Sequence, residues 1–357
     1  MSAAWIALCV ASLLPAQEAD AGFELRGTFT AALSQSQQLS ASPRRDGPWN
    51  AGFRSVLYPV WKINGNWSVA GAWQAYSRPY FYEEFNTIGR GVKGDLLQAH
   101  ITYARFWDKG SIALRAGQLS PAFGSFLLRY DDGDNPVIDM PSAYGYYYKP
   151  VSSRGLAGAQ ADVTLHRLDM RAQFLNSSPA NRRSVFDTEQ YGTWVAGAGY
   201  TIFQGLRVGA SFYRGPYLHR QYAFYFPGEA HPRSQPGVGT GIDAQFARGH
   251  WNVTGEWQRF GMDYQRIADF RQHTGYVEAR RVLHPRWYVA VRAGYLRASA
   301  FPGREIYDVV AGYRPNEKQI VKVGYQWQRG PAIRGTLGNT FTIQLVTSLR
   351  LISLARD

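Results

Sequence analysis

Basic side chains fall on the polar side of segments in which apolar residues alternate with polar or small ones. We predict that six of them line or narrow an aqueous pore: Arg115, Arg171, Arg207, Arg280, Arg292 and Lys322. Arg26, Arg54 and Arg350 share their phase, against fewer acids: Asp162, Asp169, Glu256, Glu278 and Asp308. Such an array of cations attracts anions and favours their passage. For any single arginine, the alternative is a structural ion pair with a nearby acid.

One long segment, residues 119–152, supplies charges of the opposite sign. Its acids are Asp131, Asp132, Asp134 and Asp139. It also carries Arg129, which we place at the constriction with them. Segments of this length without strand or helix periodicity are usually functional when they occur inside a domain. We predict that its acids face the arginines across a constriction and set up a transverse field. An ordinary surface loop is the alternative.

Other chemistry finds little support in the sequence. The acidic run could hold Ca²⁺ through carboxylate oxygens, but it lacks the spacing and the bidentate Glu of a calcium loop, so we predict no metal and no cofactor. No GxSxG, HExxH or CxxC motif is present. His100, beside Thr102 on a polar face, could serve a hydrolase only with a Ser or Asp on a neighbouring strand. We predict that the protein is not an enzyme, and keep a barrel enzyme as an alternative.

The elements that must position these charges are β-strands. Between residue 23 and the end, 16 segments of about ten residues alternate an apolar face with a polar or small one, as transmembrane β-strands do. Charged side chains cannot face lipid at mid-membrane without a cost of roughly 2–4 kcal/mol for each Arg or Lys, so they must point into the interior. Aromatic residues near both ends of the segments suggest two interfacial girdles: Trp61, Trp67, Trp107, Trp251 and Trp287 at one end, and Tyr76, Tyr130, Tyr213 and Tyr295 at the other.

Connections of two lengths alternate along the chain. Short turns, such as the Asn64-Gly65 hairpin signal, alternate with longer stretches at 35–50, 77–94, 119–152, 177–190, 215–236, 261–273, 296–304 and 329–339. This segregation is typical of outer-membrane barrels, whose short turns face the periplasm. A soluble sandwich would not segregate loop lengths over the whole chain. We place the last strand at Thr340–Leu351, with the chain running on through residues 352–357.

The first residues and the charge fit an exported protein. Residues 1–21 resemble a signal peptide, with a short apolar core and a small-x-small site at Ala19–Ala21, and a buried N-terminal helix is the alternative. Cys9, the single cysteine, lies inside this leader, so the mature chain 22–357 would have none. Removing Glu18 and Asp20 with the leader leaves 39 basic and 24 acidic residues, a net charge of +15. The basic residues form no helix or stripe, so we predict no binding of nucleic acid.

At this point the sequence resembles bacterial porins. The number of strands and the long third loop are similar to the 16-stranded general and anion-selective porins. Residues 115–124, RAGQLSPAFG, resemble the G-[QR]-F-x-P-P-F-G segment of the phosphate-selective porin O/P group, with Ala122 in place of the second proline. The phosphate-binding ladder of that group cannot be aligned, so phosphate selectivity does not carry over. The resemblance implies a homotrimer surrounded by outer-membrane lipid and lipopolysaccharide.

We therefore predict an all-β protein, a transmembrane antiparallel β-barrel of about 16 strands in the outer membrane of a Gram-negative-type bacterium. Its long third loop folds into the lumen. It forms a passive diffusion channel for small anionic or polar solutes and prefers anions. The alternative from another class is an adhesive or structural barrel with a plugged pore.

Overall fold

The computed structural model describes residues 21–36, 49–77, 91–126, 131–141, 144, 155–178, 192–216, 236–263, 268–299, 301–330 and 339–355. These residues form a closed antiparallel barrel of 16 strands. The strands are β1 Gly22–Ser36, β2 Trp49–Lys62, β3 Trp67–Ser77, β4 Val92–Trp107, β5 Gly110–Leu119, β6 Leu156–Leu165, β7 Leu168–Leu175, β8 Thr193–Phe203, β9 Leu206–Pro216, β10 Pro236–Arg248, β11 Trp251–Met262, β12 Phe270–His284, β13 Trp287–Ala298, β14 Phe301–Asn316, β15 Gln319–Arg329 and β16 Thr340–Ala355. Each strand pairs with its neighbours in the sequence, and β1 closes the barrel against β16. The prediction of a barrel of about 16 strands is confirmed.

The alternation of side chains gives the barrel an apolar outside and a polar inside. In β13, Trp287, Val289 and Val291 are exposed, whereas Tyr288 and Arg292 are buried. Successive side chains of a strand point to opposite faces, so the exposed apolar set faces outward and the buried set faces the interior. No helix in the described part of the chain is long and apolar enough to span a membrane.

Tight turns join the strands at the end of the barrel where β1 begins. The turn between β8 and β9 needs a glycine, because Gly205 has a φ of +100° and a Cβ there would lie 2.2 Å from the carbonyl oxygen of Ala247. We call the end of the barrel with these tight turns the short-turn end, and the opposite end of the barrel the long-loop end. The loop of residues 120–155, between β5 and β6, is the β5–β6 loop.

Three predicted boundaries were wrong. The stretch 296–304 is not a long loop, since β13 runs to Ala298 and β14 starts at Phe301. Its polar residues suggested a loop, but the ladder continues there, with the Ser299 N–H donating to the carbonyl of Arg271 at 2.9 Å. The loop predicted at 261–273 is limited to residues 263–269, because β11 runs to Met262 and β12 starts at Phe270. The last strand reaches Ala355, because Ile352 and Leu354 pair with Leu25 and Phe23 of β1.

The aromatic girdle was predicted correctly at the short-turn end, whereas at the long-loop end Tyr295 alone of the described tyrosines that we placed there faces outward. Exposed tryptophans mark the short-turn end: Trp61, Trp67, Trp107, Trp251 and Trp287. At the long-loop end, however, Tyr76 and Tyr213 are buried in the interior, and Trp49, Trp194 and Trp327 are exposed instead. A tyrosine near a strand end can face either the lipid or the interior. Its position in the alternation of the strand decides which of the two it faces. Tyr130 and residues 1–20 of the predicted leader lie outside the described residues, so the leader stays a prediction.

Candidate functional site

The β5–β6 loop starts along the interior side of the wall. The N–H of Ala122 donates to Gln173 Oε1 on β7 at 2.9 Å, and the N–H of Gly124 donates to Ser211 Oγ on β9 at 3.3 Å. Phe123 packs edge-on against Tyr213, with ring centroids 6.1 Å apart. The loop therefore passes consecutive odd-numbered strands as it leaves β5.

Glu256 on β11 is the next contact and holds two parts of the loop together. Its buried carboxylate accepts hydrogen bonds from Ser125 Oγ at 3.1 Å and from the Tyr144 hydroxyl at 2.6 Å. Gln258 and Tyr276 of the wall donate to the same carboxylate. A buried carboxylate without a paired cation needs such donors to offset its lost hydration. The outgoing residue 125 and the returning residue 144 are thus fixed at one point.

The motif glycine, Gly124, makes this arrangement sterically feasible. It has a φ of +77°, and a Cβ at this position would lie 2.0 Å from the Tyr144 hydroxyl and 2.2 Å from Glu256 Oε1. Both the backbone conformation and the close approach favour glycine. The sequence motif therefore marks the place where the loop meets the wall.

The acidic run contacts the wall formed by β1 and β2. Asp132 forms a buried ion pair with Arg54, with Oδ1 2.9 Å from Nη2, and accepts a hydrogen bond from Thr30 Oγ1 at 2.6 Å. Asp131 accepts a hydrogen bond from the Tyr58 hydroxyl. Both aspartates are buried. Both are therefore turned onto the wall, where Arg54 neutralises Asp132 and the Tyr58 hydroxyl binds Asp131, which differs from the prediction that they face arginines across the lumen.

Lys322 on β15 binds the turn that follows the acidic run. Its ammonium donates to three backbone carbonyls of the loop, those of Asp132 at 2.5 Å, Asn135 at 2.7 Å and Val137 at 3.3 Å. Val137 itself is buried in an apolar cluster with Tyr288, Val310 and other interior residues of the wall. All three ammonium hydrogens are used, so the lysine holds the turn rather than lining open water.

Arg292 on β13 makes a similar anchor. It pairs with Glu278 at 2.6 Å, and it donates to the carbonyl of Asp139 at 2.6 Å and to Asn135 Oδ1 at 3.1 Å. The guanidinium also lies over the ring of Phe126, 5.6 Å from its centroid. Together the contacts of the loop run from β7 to β2 along residues of the interior phase. An inward-folded loop requires contacts of this kind.

Two aspartates of the loop have perturbed acidities. Burial raises the pKa of Asp139 to about 7, and the nearby Asp308 carboxyl adds to this, against the Met140 N–H and Arg292. Burial and the adjacent Asp131 raise the pKa of Asp134 to about 6, against Lys322 and Arg314. Each carboxyl therefore takes up a proton as the pH falls through its raised pKa. The loop loses negative charge between about pH 7 and pH 6, well above the range of an ordinary aspartate.

The accessible arginines lie on β5, β7 and β9, and on β7 and β9 they are nearer the short-turn end than the residues that the loop contacts. Arg115 Nη1 lies 2.5 Å from Asp162 Oδ2, and Arg171 Nε lies 2.7 Å from Asp162 Oδ1, so one aspartate holds both guanidinium groups. Their side chains are 16% and 23% exposed, against 1% for Arg54 and 2% for Arg292. We therefore expect these arginines, rather than the buried anchors, to meet solutes.

Arg207 on β9 continues this row. It is bound by Asp169 at 2.6 Å and by Asp243 at 2.8 Å, and its side chain is 29% exposed. The guanidinium lies flat on the wall because Gly199 leaves room for it: a Cβ at Gly199 would be 2.0 Å from Arg207 Nη2. The row is thus fixed in position by acids and by a glycine.

The remaining predicted residues are scattered. Arg280 stacks on Tyr288, 4.9 Å from the ring centroid. Arg129 lies outside the described residues. Sequence reasoning missed Asp243, although its phase in β10 would have placed it inside, and missed Tyr58 and Asn135, which carried no recognisable signal. Within the described ranges, no group of three or more His, Cys, Asp or Glu side chains could hold a metal.

Comparison with known structures identifies the architecture. Salmonella typhi OmpF in complex with daunomycin matches 92% of this chain and 97% of its own, with a TM-score of 0.64 at 12% identity. The trimer form of in-vitro folded OmpT from Vibrio cholerae matches 92% and 100%, with a TM-score of 0.60 at 10% identity. The chain has the porin fold. An anion-selective porin from Comamonas acidovorans also matches it, over 93% and 100%, with a TM-score of 0.57 at 9% identity.

The porin fold is thus shared without recognisable sequence similarity. No protein-family model and no curated protein matches the chain. Residues that act in those porins therefore cannot be transferred by alignment, and the function has to be argued from the barrel's own interior.

Proposed function

We propose that this protein is an outer-membrane porin that forms a passive aqueous channel for small hydrophilic solutes. The observation that carries the proposal is a row of arginines on the interior wall, Arg115, Arg171 and Arg207, which is polar and accessible inside a closed barrel. A 16-stranded barrel is wide enough to leave a water-filled lumen. We further propose that the β5–β6 loop narrows this lumen. No reaction is assigned.

We also propose that the channel prefers anions. This proposal is supported by the net charge of +15 without the leader, and by the surplus of arginine near the short-turn end, where Arg26 and Arg350 share one acid, Glu24. The paired row is closer to neutral, because Asp162, Asp169 and Asp243 balance its three arginines. The preference should therefore be modest rather than absolute.

We expect a reversal potential on the anion side when the protein separates two KCl solutions of unequal concentration in a planar bilayer. The preference should be clear near 0.1 M, where the screening length is about 10 Å, and shrink near 1 M, where it is about 3 Å. Arg171→Gln should reduce the preference for anions, whereas the surface control Lys318→Met should leave it unchanged. A cation-side potential at low salt would contradict the anion preference, and the absence of any channel would favour the plugged, adhesive barrel.

A trimer is a separate proposal. It is supported by the fold shared with OmpT of Vibrio cholerae, which has a structure in a trimer form. Mass measurement of the purified protein in detergent tests it directly.

A further inference from the structure

The outer face of the barrel carries an unusual basic row near the long-loop end. Arg259 on β11 is the direct cross-strand partner of His273 on β12, and His273 is the partner of Arg297 on β13. All three belong to the outward phase of their strands, and both arginines are exposed. Neighbouring strands lie about 4.8 Å apart, so the two arginines are about 10 Å apart and can reach one ligand.

The charge of this row is not compensated within the described part of the chain. Neither the Arg259 nor the Arg297 side chain forms a hydrogen bond or an ion pair with a described residue. The outward acid Glu305 lies one row below Arg297, as the cross-strand partner of Tyr295 on one side and of Arg329 on the other, and it accepts a hydrogen bond from the Tyr307 hydroxyl at 2.9 Å. Arg271, one step above the row, is by contrast neutralised by Asp263 and Asp269.

An aromatic shelf lies directly below the basic row. Trp257 and Tyr295 flank Gly275 in the next row toward the membrane centre. A Cβ at Gly275 would lie 3.2 Å from the Tyr295 ring and 3.5 Å from that of Trp257, so the two rings converge over the glycine. The Trp257 and His273 rings are also close, with centroids 6.1 Å apart. Aromatic rings of this kind belong at the level of the lipid headgroups.

Below the shelf the surface is apolar. The next row places Val277, 57% exposed, between Gly255 and Ala293. Eight residues separate Trp287 from Tyr295 on β13, about 26 Å along the strand and roughly 20 Å along the barrel axis at a tilt of about 40°. The two aromatic residues therefore bracket most of an apolar band of about 25 Å. The vertical order is therefore basic row, aromatic shelf and apolar surface, which matches the phosphate, sugar and acyl chains of a glycolipid.

Two further outward arginines lie near the long-loop end, but Arg214 on β9 pairs with Trp194 and Val238, and Arg329 on β15 pairs with Glu305. Near the long-loop ends of β2 and β16 the outward positions are apolar, with Trp49 packed edge-on against Phe341 and Phe53 exposed. Because the basic row faces the membrane rather than the lumen, conduction does not explain it.

We propose that Arg259, His273 and Arg297 form a binding site for the phosphorylated headgroup of an outer-leaflet glycolipid. The two guanidinium groups bind the phosphate with charge-assisted hydrogen bonds, and Trp257 and Tyr295 contact the sugar. This site is independent of the proposed channel. Each basic residue near an anionic membrane surface contributes roughly fivefold in affinity, so loss of both arginines should weaken binding about 25-fold.

The test titrates the purified detergent-solubilised protein with lipopolysaccharide and reads binding by native mass spectrometry. We expect Arg259→Gln/Arg297→Gln to bind about 25-fold more weakly than wild type, with unchanged single-channel conductance as proof of folding. Arg248→Gln/Arg281→Gln removes the same charge from the short-turn end and should bind as wild type does. Arg259→Lys/Arg297→Lys should restore most of the affinity, because a lysine still supplies a positive charge.

Chemically dephosphorylated lipopolysaccharide identifies the group that is recognised. It should bind wild type about as weakly as the phosphorylated lipid binds the glutamine double variant. Equal losses in the two double glutamine variants would overturn the site, and so would full binding of the dephosphorylated lipid. If Arg259→Gln/Arg297→Gln fails to fold, the single variants Arg259→Gln and Arg297→Gln, each expected to bind about fivefold more weakly than wild type, decide the question together with the dephosphorylated lipid.

Discussion

Replacing Lys322 with methionine is expected to release the β5–β6 loop and give channels of larger and more variable conductance. Methionine has a similar length but donates no hydrogen bond. The carbonyls of Asp132, Asn135 and Val137 would lose their common donor while still buried. Leaving a buried acceptor without its donor costs roughly 1–3 kcal/mol. That cost falls on the docked loop alone, because the ladder of β15 is unaffected.

The measurement is single-channel conductance in planar bilayers, with barrel folding checked by heat-modifiable electrophoretic migration. Lys318→Met is the matched control. Lys318 is an exposed residue of the turn before β15, and its hydrogen bonds to described residues are made by its backbone: the N–H donates to Asn316 Oδ1 at 2.9 Å and the carbonyl accepts from the Ser348 N–H at 2.8 Å. A folded Lys322→Met variant with the conductance and noise of wild type would show that the ammonium does not hold the loop.

Deleting residues 131–139 is expected to raise the conductance severalfold and to deepen the preference for anions. The segment contains four acids and no basic residue: Asp131, Asp132, Asp134 and Asp139. Its loss frees three buried cations of the wall, Arg54, Arg292 and Lys322, from their loop partners. The deletion removes volume and negative charge from the lumen, which widens it. The three freed cations add positive charge to its surface, which favours anions.

An equally long deletion of residues 221–229, in the connection between β9 and β10, serves as the control and should leave both properties close to wild type. The reversal potential in a salt gradient reports selectivity, and conductance in one salt reports width. If the 131–139 deletion folds and neither quantity changes, the β5–β6 loop is not the constriction.

The sequence was sufficient for the barrel because strand periodicity is a local property. In β13 every exposed valine and the buried Arg292 follow from a period of two, and the same holds for Lys322 in β15. The errors arose where the polarity of a segment predicted a loop although its backbone pairs with a neighbouring strand. Ser299 looked like a loop residue, but the backbone bond to Arg271 made it part of the ladder.

The site was predictable only in part. The interior phase of Arg292 and Lys322 could be read from their strands, but their partners are backbone carbonyls of a segment more than 150 residues away in sequence. A carbonyl oxygen is present at every position and leaves no signal in the residue types. For the same reason Asp131 and Asp132 were predicted to face the lumen, whereas Tyr58 and Arg54 draw them to the wall.

A disulfide between the loop and the far wall tests most directly whether the β5–β6 loop crosses the lumen. A Cβ at Gly133 would lie 3.2 Å from Ser348 Oγ, on the interior face of β16, which is within disulfide reach. In a Cys9→Ser background, Gly133→Cys with Ser348→Cys should crosslink on mild oxidation, whereas Gly133→Cys with the outward-facing Thr347→Cys should not. Failure of the first pair to crosslink in the folded barrel, or equal crosslinking of both pairs, would contradict an inward-folded loop.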